Sequence, residues 1–189
     1  MQPEFPSAPA LADALIVDPF YLAISVDFEH DMPARKAVLA DYFAYSLGEA
    51  ARTGRFLAAE DARLGAAAWL LPRTEAVDAT ESVAKSDYLA GALGPRGHDN
   101  YRRIVDFMAA RSPAVVPAHA WYLSILGISP DAQGRGLGAQ LLAPRWPRPT
   151  RRACPASWKP SRRAAWPSTN GWASVARRNT WSRSRARPT

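Results

Sequence analysis

The residues best suited to chemistry are three glycines and their neighbours, Gln133-Gly134-Arg135-Gly136-Leu137-Gly138. They follow an apolar run, Ala120 to Ile128, whose Trp121, Tyr122, Leu123, Ile125, Leu126 and Ile128 predict a buried strand. Pro130 and Asp131 stop that strand, and Leu137-Gly138-Ala139-Gln140-Leu141-Leu142 reads as a helix start. Glycine permits positive φ and lets a ligand approach the main chain. A glycine turn opening a helix presents free N–H groups together with the positive end of the helix dipole, which suits a phosphate. The plain alternative is a strand-to-helix turn with no ligand. Two familiar nucleotide loops are excluded: no Gly-Lys-Ser/Thr follows, and the order is not Gly-x-Gly-x-x-Gly.

Strand–Pro-x-x-Gln-Gly-Arg-Gly-Leu-Gly–helix resembles the acyl-CoA-binding motif of the GNAT superfamily of N-acetyltransferases, written Gln/Arg-x-x-Gly-x-Gly/Ala. Gln133, Gly136 and Gly138 fill its fixed positions. The resemblance implies an α/β (α+β) fold with a mixed, mostly antiparallel sheet flanked by helices. It also implies direct transfer of an acetyl group from acetyl-CoA to a primary amine. The thioester brings its own leaving group, so such a protein positions the reactants and removes a proton. By the same resemblance, the N–H groups of Gly134, Gly136, Leu137 and Gly138 hold the pyrophosphate. Arg135 either adds a charge contact or faces solvent. The main chain of Leu126 and Ile128 pairs with pantetheine as an added strand would, and a bulge near Leu126-Gly127 aims one N–H at the thioester carbonyl.

The general base is not readable. The strand offers only Trp121, Tyr122 and Ser124. Glu29, Asp31, Glu60 and His119 are candidates to approach the cleft, though each also reads as a surface or connector residue, and His30 and His98 read as solvated. Trp69, Tyr88, Tyr101, Phe107 and Met108 are candidate acceptor-pocket residues, with core and helix packing as the plain alternative. No His/Cys/Asp cluster has metal-ligand spacing, so no metal is expected.

These residues need elements to position them. Met1 to Pro9 is Pro-rich and reads as irregular, and Ala10 to Ser25 as a helix or a helix plus a strand. Val26 to Asp31 is a polar connector. Ala34 to Arg52 is the clearest helix, with Val38, Leu39, Tyr42, Phe43, Tyr45, Leu47 and Ala50 on a mostly apolar stripe and Gly54 as its stop. Phe56–Ala59 and Leu64–Leu71 predict two antiparallel strands, the second ended by Pro72. Thr80–Leu93 and Asp99–Arg111 predict two helices separated by Gly94-Pro95-Arg96-Gly97. This helical segment is extra to a minimal GNAT fold, and no strand ahead of the first helix is visible.

Length suits one domain. One cysteine, Cys154, excludes an internal disulfide framework and fits a reducing compartment. Asp13 and Asp18 interrupt the N-terminal apolar residues, which argues against a signal peptide, and no apolar run is long enough to span a bilayer. A cytoplasmic protein without membrane contact is therefore expected. The net charge of +7 hides a division. Residues 1–144 hold 12 basic and 17 acidic residues, a net of −5; residues 145–189 hold eleven Arg, one Lys and no acid, a net of +12.

That tail changes character altogether. It holds five of the seven Trp and six of the 17 Pro. Disordered basic arms lack Trp as a rule, whereas Arg-, Pro-, Ala- and Trp-rich text is what a GC-rich gene yields in a wrong frame. Joining the third base of each codon to the first two of the next tests this. Trp158-Lys159 then forces Glu, Trp166-Pro167 forces Ala, and Trp172-Ala173 forces Gly. Arg152 through Pro155 allow Gly-Leu-Pro, and Trp166 to Ser174 allow Ala-Leu-Tyr-Gln-Arg-Leu-Gly-Phe. The shifted text is similar to the fifth strand and the last helix and strand of the GNAT family. The expectation is an incomplete GNAT-like core over 1–144 followed by a frame-shifted segment over 145–189. A chain so interrupted lacks the fifth strand, leaves an exposed sheet edge, and is unstable or poorly active.

Two other functions stay open. One is a catalytically inactive CoA-binding or interaction protein. The other is a nucleic-acid binder acting through the Arg- and Trp-rich tail, although nucleic acid is not the partner expected of the leading reading. That reading expects a small-molecule or protein amine as acceptor, with a homodimer as a candidate assembly.

Overall fold

The computed structural model describes residues 4–114, 117 and 120–143. The frame-shift expectation over 145–189, Cys154 and the candidate His119 lie outside the described residues. Within them the class is α+β: six α-helices and three strands, in the order α1 Ala8–Leu15, α2 Pro19–Ile24, α3 Met32–Thr53, β1 Gly54–Ala58, β2 Gly65–Leu70, α4 Glu75–Ala92, α5 Gly94–Ala109, β3 Tyr122–Ile128 and α6 Leu137–Leu142.

The strands form one antiparallel sheet in the order β1-β2-β3. Both pairings in it are antiparallel; the C-terminal strands of the expected mixed sheet lie outside the described residues. The central strand is Gly-Ala-Ala-Ala-Trp-Leu, and Ala66, Ala67 and Ala68 are all buried, which means both its faces are covered. Ala66 and Ala68 join Ile125 in the main core, beneath α1 and α3. On β3, Gly127 meets Leu11 of α1, whereas its neighbour Ile128 turns to the opposite face, where Gly138 of α6 lies.

α3 is the spine of that core. Asp31 caps it by accepting a hydrogen bond from the Ala34 N–H at 3.0 Å, and Pro33 fits the first turn, where no N–H is needed. Leu39, Phe43 and Leu47 are fully buried along one face. Each such side chain contributes roughly 1.5–3 kcal/mol on burial.

Several boundaries differ from the sequence reading. The first helix begins at Ala8 rather than Ala10, with Pro9 in its first turn, and Ala10–Ser25 folds as two short helices, α1 and α2, with no strand. α4 begins at Glu75, not Thr80, because Thr74 caps it at Val77 N and Glu75 and Asp78 sit in its first turn. Gly94-Pro95-Arg96-Gly97 does not separate two helices but forms the first turn of α5. No strand precedes β1 among the described residues.

Gly97 shows why α5 can lie so close to α2. A Cβ there would overlap the Ile24 carbonyl oxygen, and its N–H donates to the Asp27 carboxylate at 2.8 Å. Gly97→Ala must push α5 outward, and it is expected to cost about 1–3 kcal/mol. The check is a lowered urea midpoint with an unchanged slope.

Candidate functional site

The glycine turn folds back on itself through its polar residues. After β3, Pro130–Ala132 forms a short 3-10 turn anchored by the buried Ala132. Gln133 Nε2 donates to the Ile128 carbonyl at 3.1 Å, and Arg135 Nη2 donates to the Asp131 carbonyl at 2.8 Å. Arg135 is thus an exposed brace of the turn. Gly134 and Gly136 both have positive φ, +78° and +77°, a region that only glycine enters without strain. A Cβ at either would touch nothing within 4 Å, so the space above the turn is open. Gly136 caps α6, and its carbonyl accepts the Gln140 N–H at 3.0 Å. The N–H groups of Leu137, Gly138 and Ala139 precede any carbonyl four residues back within this six-residue helix.

The ladder fixes which main-chain groups of β3 face outward. The Ser129 N–H donates to the Leu64 carbonyl at 2.8 Å, and Gly127 pairs with Ala66 two residues on. Antiparallel alternation then turns Gly127 toward β2 and aims the main-chain groups of Leu126 and Ile128 away from it. β3 is the last strand of the sheet among the described residues, so that side is its edge. The bulge expected near Leu126-Gly127 lies instead at Ser124. Ala68 pairs with Ile125 and Trp69 with Leu123, which leaves Ser124 as the extra residue.

A second cluster was not apparent in the sequence. Tyr42, Ser46, Glu49 and Thr53 succeed one another at helical spacing along a single stripe of α3, and the first three are buried. Glu49, with its side chain 6% exposed, accepts from Arg73 Nη1 at 3.1 Å and from Lys85 Nζ at 3.0 Å. Arg73 also donates to Thr53 Oγ1 at 2.8 Å and pairs with Asp78 at 2.6 Å. Lys85 lies 5.2 Å from the centre of the Tyr42 ring. Burial pushes the Glu49 carboxyl up, but the charges and hydrogen bonds of Lys85 and Arg73 outweigh it and hold Glu49 below the usual range. Burial likewise raises the Tyr101 hydroxyl to about 12 and the Tyr122 hydroxyl above its ordinary value, with Lys85 pulling both back.

The remaining candidates scatter. Glu29 and Glu60 are exposed, Asp31 is spent as a helix cap, and His30 is solvent-facing. His98 is not simply solvated, since its Nε2 lies 3.1 Å from Ser86 Oγ. Tyr88, itself exposed, stacks on Tyr45 at 4.6 Å, and Phe107 and Met108 are exposed near the C-terminal end of α5. Tyr101 alone among the pocket candidates is in the core, next to Phe20 and the seam just described. Among the described residues no group of His, Cys, Asp and Glu is placed to hold a metal, and no helix is long and apolar enough to cross a membrane. No family model and no curated protein matches this sequence.

Proposed function

We propose that this chain carries the acyl-CoA-binding half of a GNAT-type N-acetyltransferase and acts in the cytoplasm on a primary amine. The observation that supports it best is the join between β3 and α6. A strand edge with Leu126 and Ile128 turned outward runs directly into a turn with two positive-φ glycines and a fresh helix start. The residues fit the ligand. The N–H groups of Gly134, Gly136, Leu137 and Gly138 would take the pyrophosphate, and the edge of Leu126 and Ile128 would take the pantetheine arm. Gln133 contributes by fixing the Ile128 carbonyl, and Arg135 by bracing the turn. Bound acetyl-CoA supplies an already activated acetyl group; the protein's share is alignment and removal of the amine proton.

Residues 145–189 are, on this reading, text in another frame, and the segment that would cover the β3 edge is lost with it. The chain as written is then a weak catalyst. An inactive CoA-binding protein is the second reading, favoured by the absence of any carboxylate on β3. Acetyl-CoA titrated into the full chain is expected to raise its melting temperature in a saturable way. No shift at saturating ligand, in this chain and in a frame-corrected one, would refute the reading; a shift without turnover on an amine panel would select the inactive form.

A further inference from the structure

A groove of about 490 Å³ runs along the flank of α3, in the usual size range of small-ligand sites. None of its lining residues belongs to β3 or α6, so what it binds is independent of the transferase reading. Ala40, Ala44 and Gly48 form its floor, each one residue on from the core stripe Leu39, Phe43 and Leu47. Eight residue steps make that floor roughly 12 Å long, room for a six-membered ring and a short arm.

The walls are set by ring contacts. Phe5 forms one of them. It is held edge-on to Phe56 at 5.5 Å, and a Cβ on Gly48 would lie 3.6 Å from its ring. Tyr45 and Tyr88 form another, stacked with centroids 4.6 Å and planes 25° apart. A flat ring laid on the small floor meets aromatic surface from both.

The charges in the groove do not cancel. Glu4, Asp41 and Arg52 line it. Arg52 is engaged by Glu81 at 3.2 Å. Neither Glu4 nor Asp41 has an ion-pair partner among the described residues. Asp41 stands one helical turn before Tyr45 on the same face. Burial, and after it the Asp41 charge, raises the Tyr88 hydroxyl above its ordinary value. A cation seated here gains a carboxylate and the negative face of a ring together. An anion would meet two unmatched carboxylates.

We propose that this groove binds a small aromatic ammonium, its ring on the Ala40–Ala44–Gly48 floor between Phe5 and the Tyr45–Tyr88 pair and its nitrogen on Asp41.

The test titrates 2-phenylethylammonium into the full chain by calorimetry. Beside it run 2-phenylethanol, which keeps the ring and loses the charge, and 3-phenylpropionate, which reverses the charge. The ammonium should bind with a Kd of about 1 mM or below, the alcohol about five-fold more weakly, and the carboxylate more weakly still. Asp41→Asn should weaken the ammonium about three- to five-fold, as loss of an exposed ion pair does, and leave the alcohol within about two-fold. Tyr88→Ala should weaken the ammonium about three-fold. Gly48→Leu tests the floor. Leucine is favoured over glycine inside a helix, so α3 should keep its fold while the side chain fills the groove and abolishes binding. If Gly48→Leu melts below wild type, the exposed Asp41→Asn site carries the test alone. Three results would each overturn the inference: no binding of the ammonium up to about 10 mM, equal binding of ammonium and alcohol, or an Asp41→Asn chain that binds the ammonium as wild type does. A stably folded Gly48→Leu chain that still binds would do the same.

Discussion

Replacing Glu49 with alanine is expected to lower the unfolding free energy by about 3–5 kcal/mol, the usual consequence of removing one partner from a buried ion pair. The reason is not that the pair itself contributes so much. Burying Glu49, Arg73 and Lys85 costs desolvation for all three, which their mutual attraction offsets only while both signs are present. With Glu49 gone, two cations 12% and 13% exposed face each other across the space it left. For a domain stable by roughly 5–15 kcal/mol, that loss would consume much of the margin. Urea unfolding followed by circular dichroism measures it. The double variant Glu49→Gln/Lys85→Met, which removes opposite charges together, should recover a good part, with an interaction energy of about 1–3 kcal/mol in the cycle. A loss under about 1 kcal/mol for Glu49→Ala would mean that the seam is wet and the ions are individually hydrated.

The same carboxylate gives stability a pH dependence of definite sign. Its folded pKa is depressed below the ordinary carboxylate value because Lys85 and Arg73 outweigh the effect of burial. The unfolded chain therefore binds this proton more readily than the folded one. The contribution is complete above the unfolded pKa and disappears as pH falls through the ordinary carboxylate range and below it. In Glu49→Gln that part of the acid sensitivity should be missing.

The unequal legibility of these features has a physical basis. The strand, turn and helix around Gly134–Gly138 could be read because each signal is local: an apolar run, a proline, glycines, then a helical pattern. The hairpin of β1 and β2 was legible for the same reason, to within two residues. Helix starts failed where a cap outranked periodicity. Thr74 begins α4 ahead of its first regular apolar spacing, and Gly94, at φ +74°, already belongs to α5 together with Pro95. The bulge sits at Ser124 and not near Leu126-Gly127 because its place depends on which β2 residue lies opposite, a matter of register that β3 alone does not encode. The cluster around Glu49 is the least legible feature of all. Ser46, Glu49 and Thr53 look like interruptions of an apolar stripe, and the partners that make sense of them, Arg73 and Lys85, come 24 and 36 positions after Glu49. A clue was present even so: polar residues at helical spacing on the face that must be buried demand partners from elsewhere.

Gly136→Val should separate binding from stability more sharply than any other change in the chain. At φ +77° a β-branched residue is strained by about 1–3 kcal/mol. Here the strain need not be stored. Nothing lies within 4 Å of where the Cβ would be, and Gln133 through Gly136 are exposed, so the turn can relax by leaving the left-handed region. Relaxation spares the fold and reorients the N–H groups of Gly136 and Leu137. The expected result is an unfolding free energy within about 1 kcal/mol of wild type, together with a loss of CoA affinity of roughly 30-fold, or ~2 kcal/mol. Gly136→Asn supplies the control, since asparagine tolerates the left-handed region and should keep most of the affinity. Equilibrium dialysis with CoA on both variants decides the matter. If valine and asparagine bind CoA equally well, the main-chain direction at Gly136 is irrelevant to the ligand, and the proposed diphosphate site does not lie at this turn.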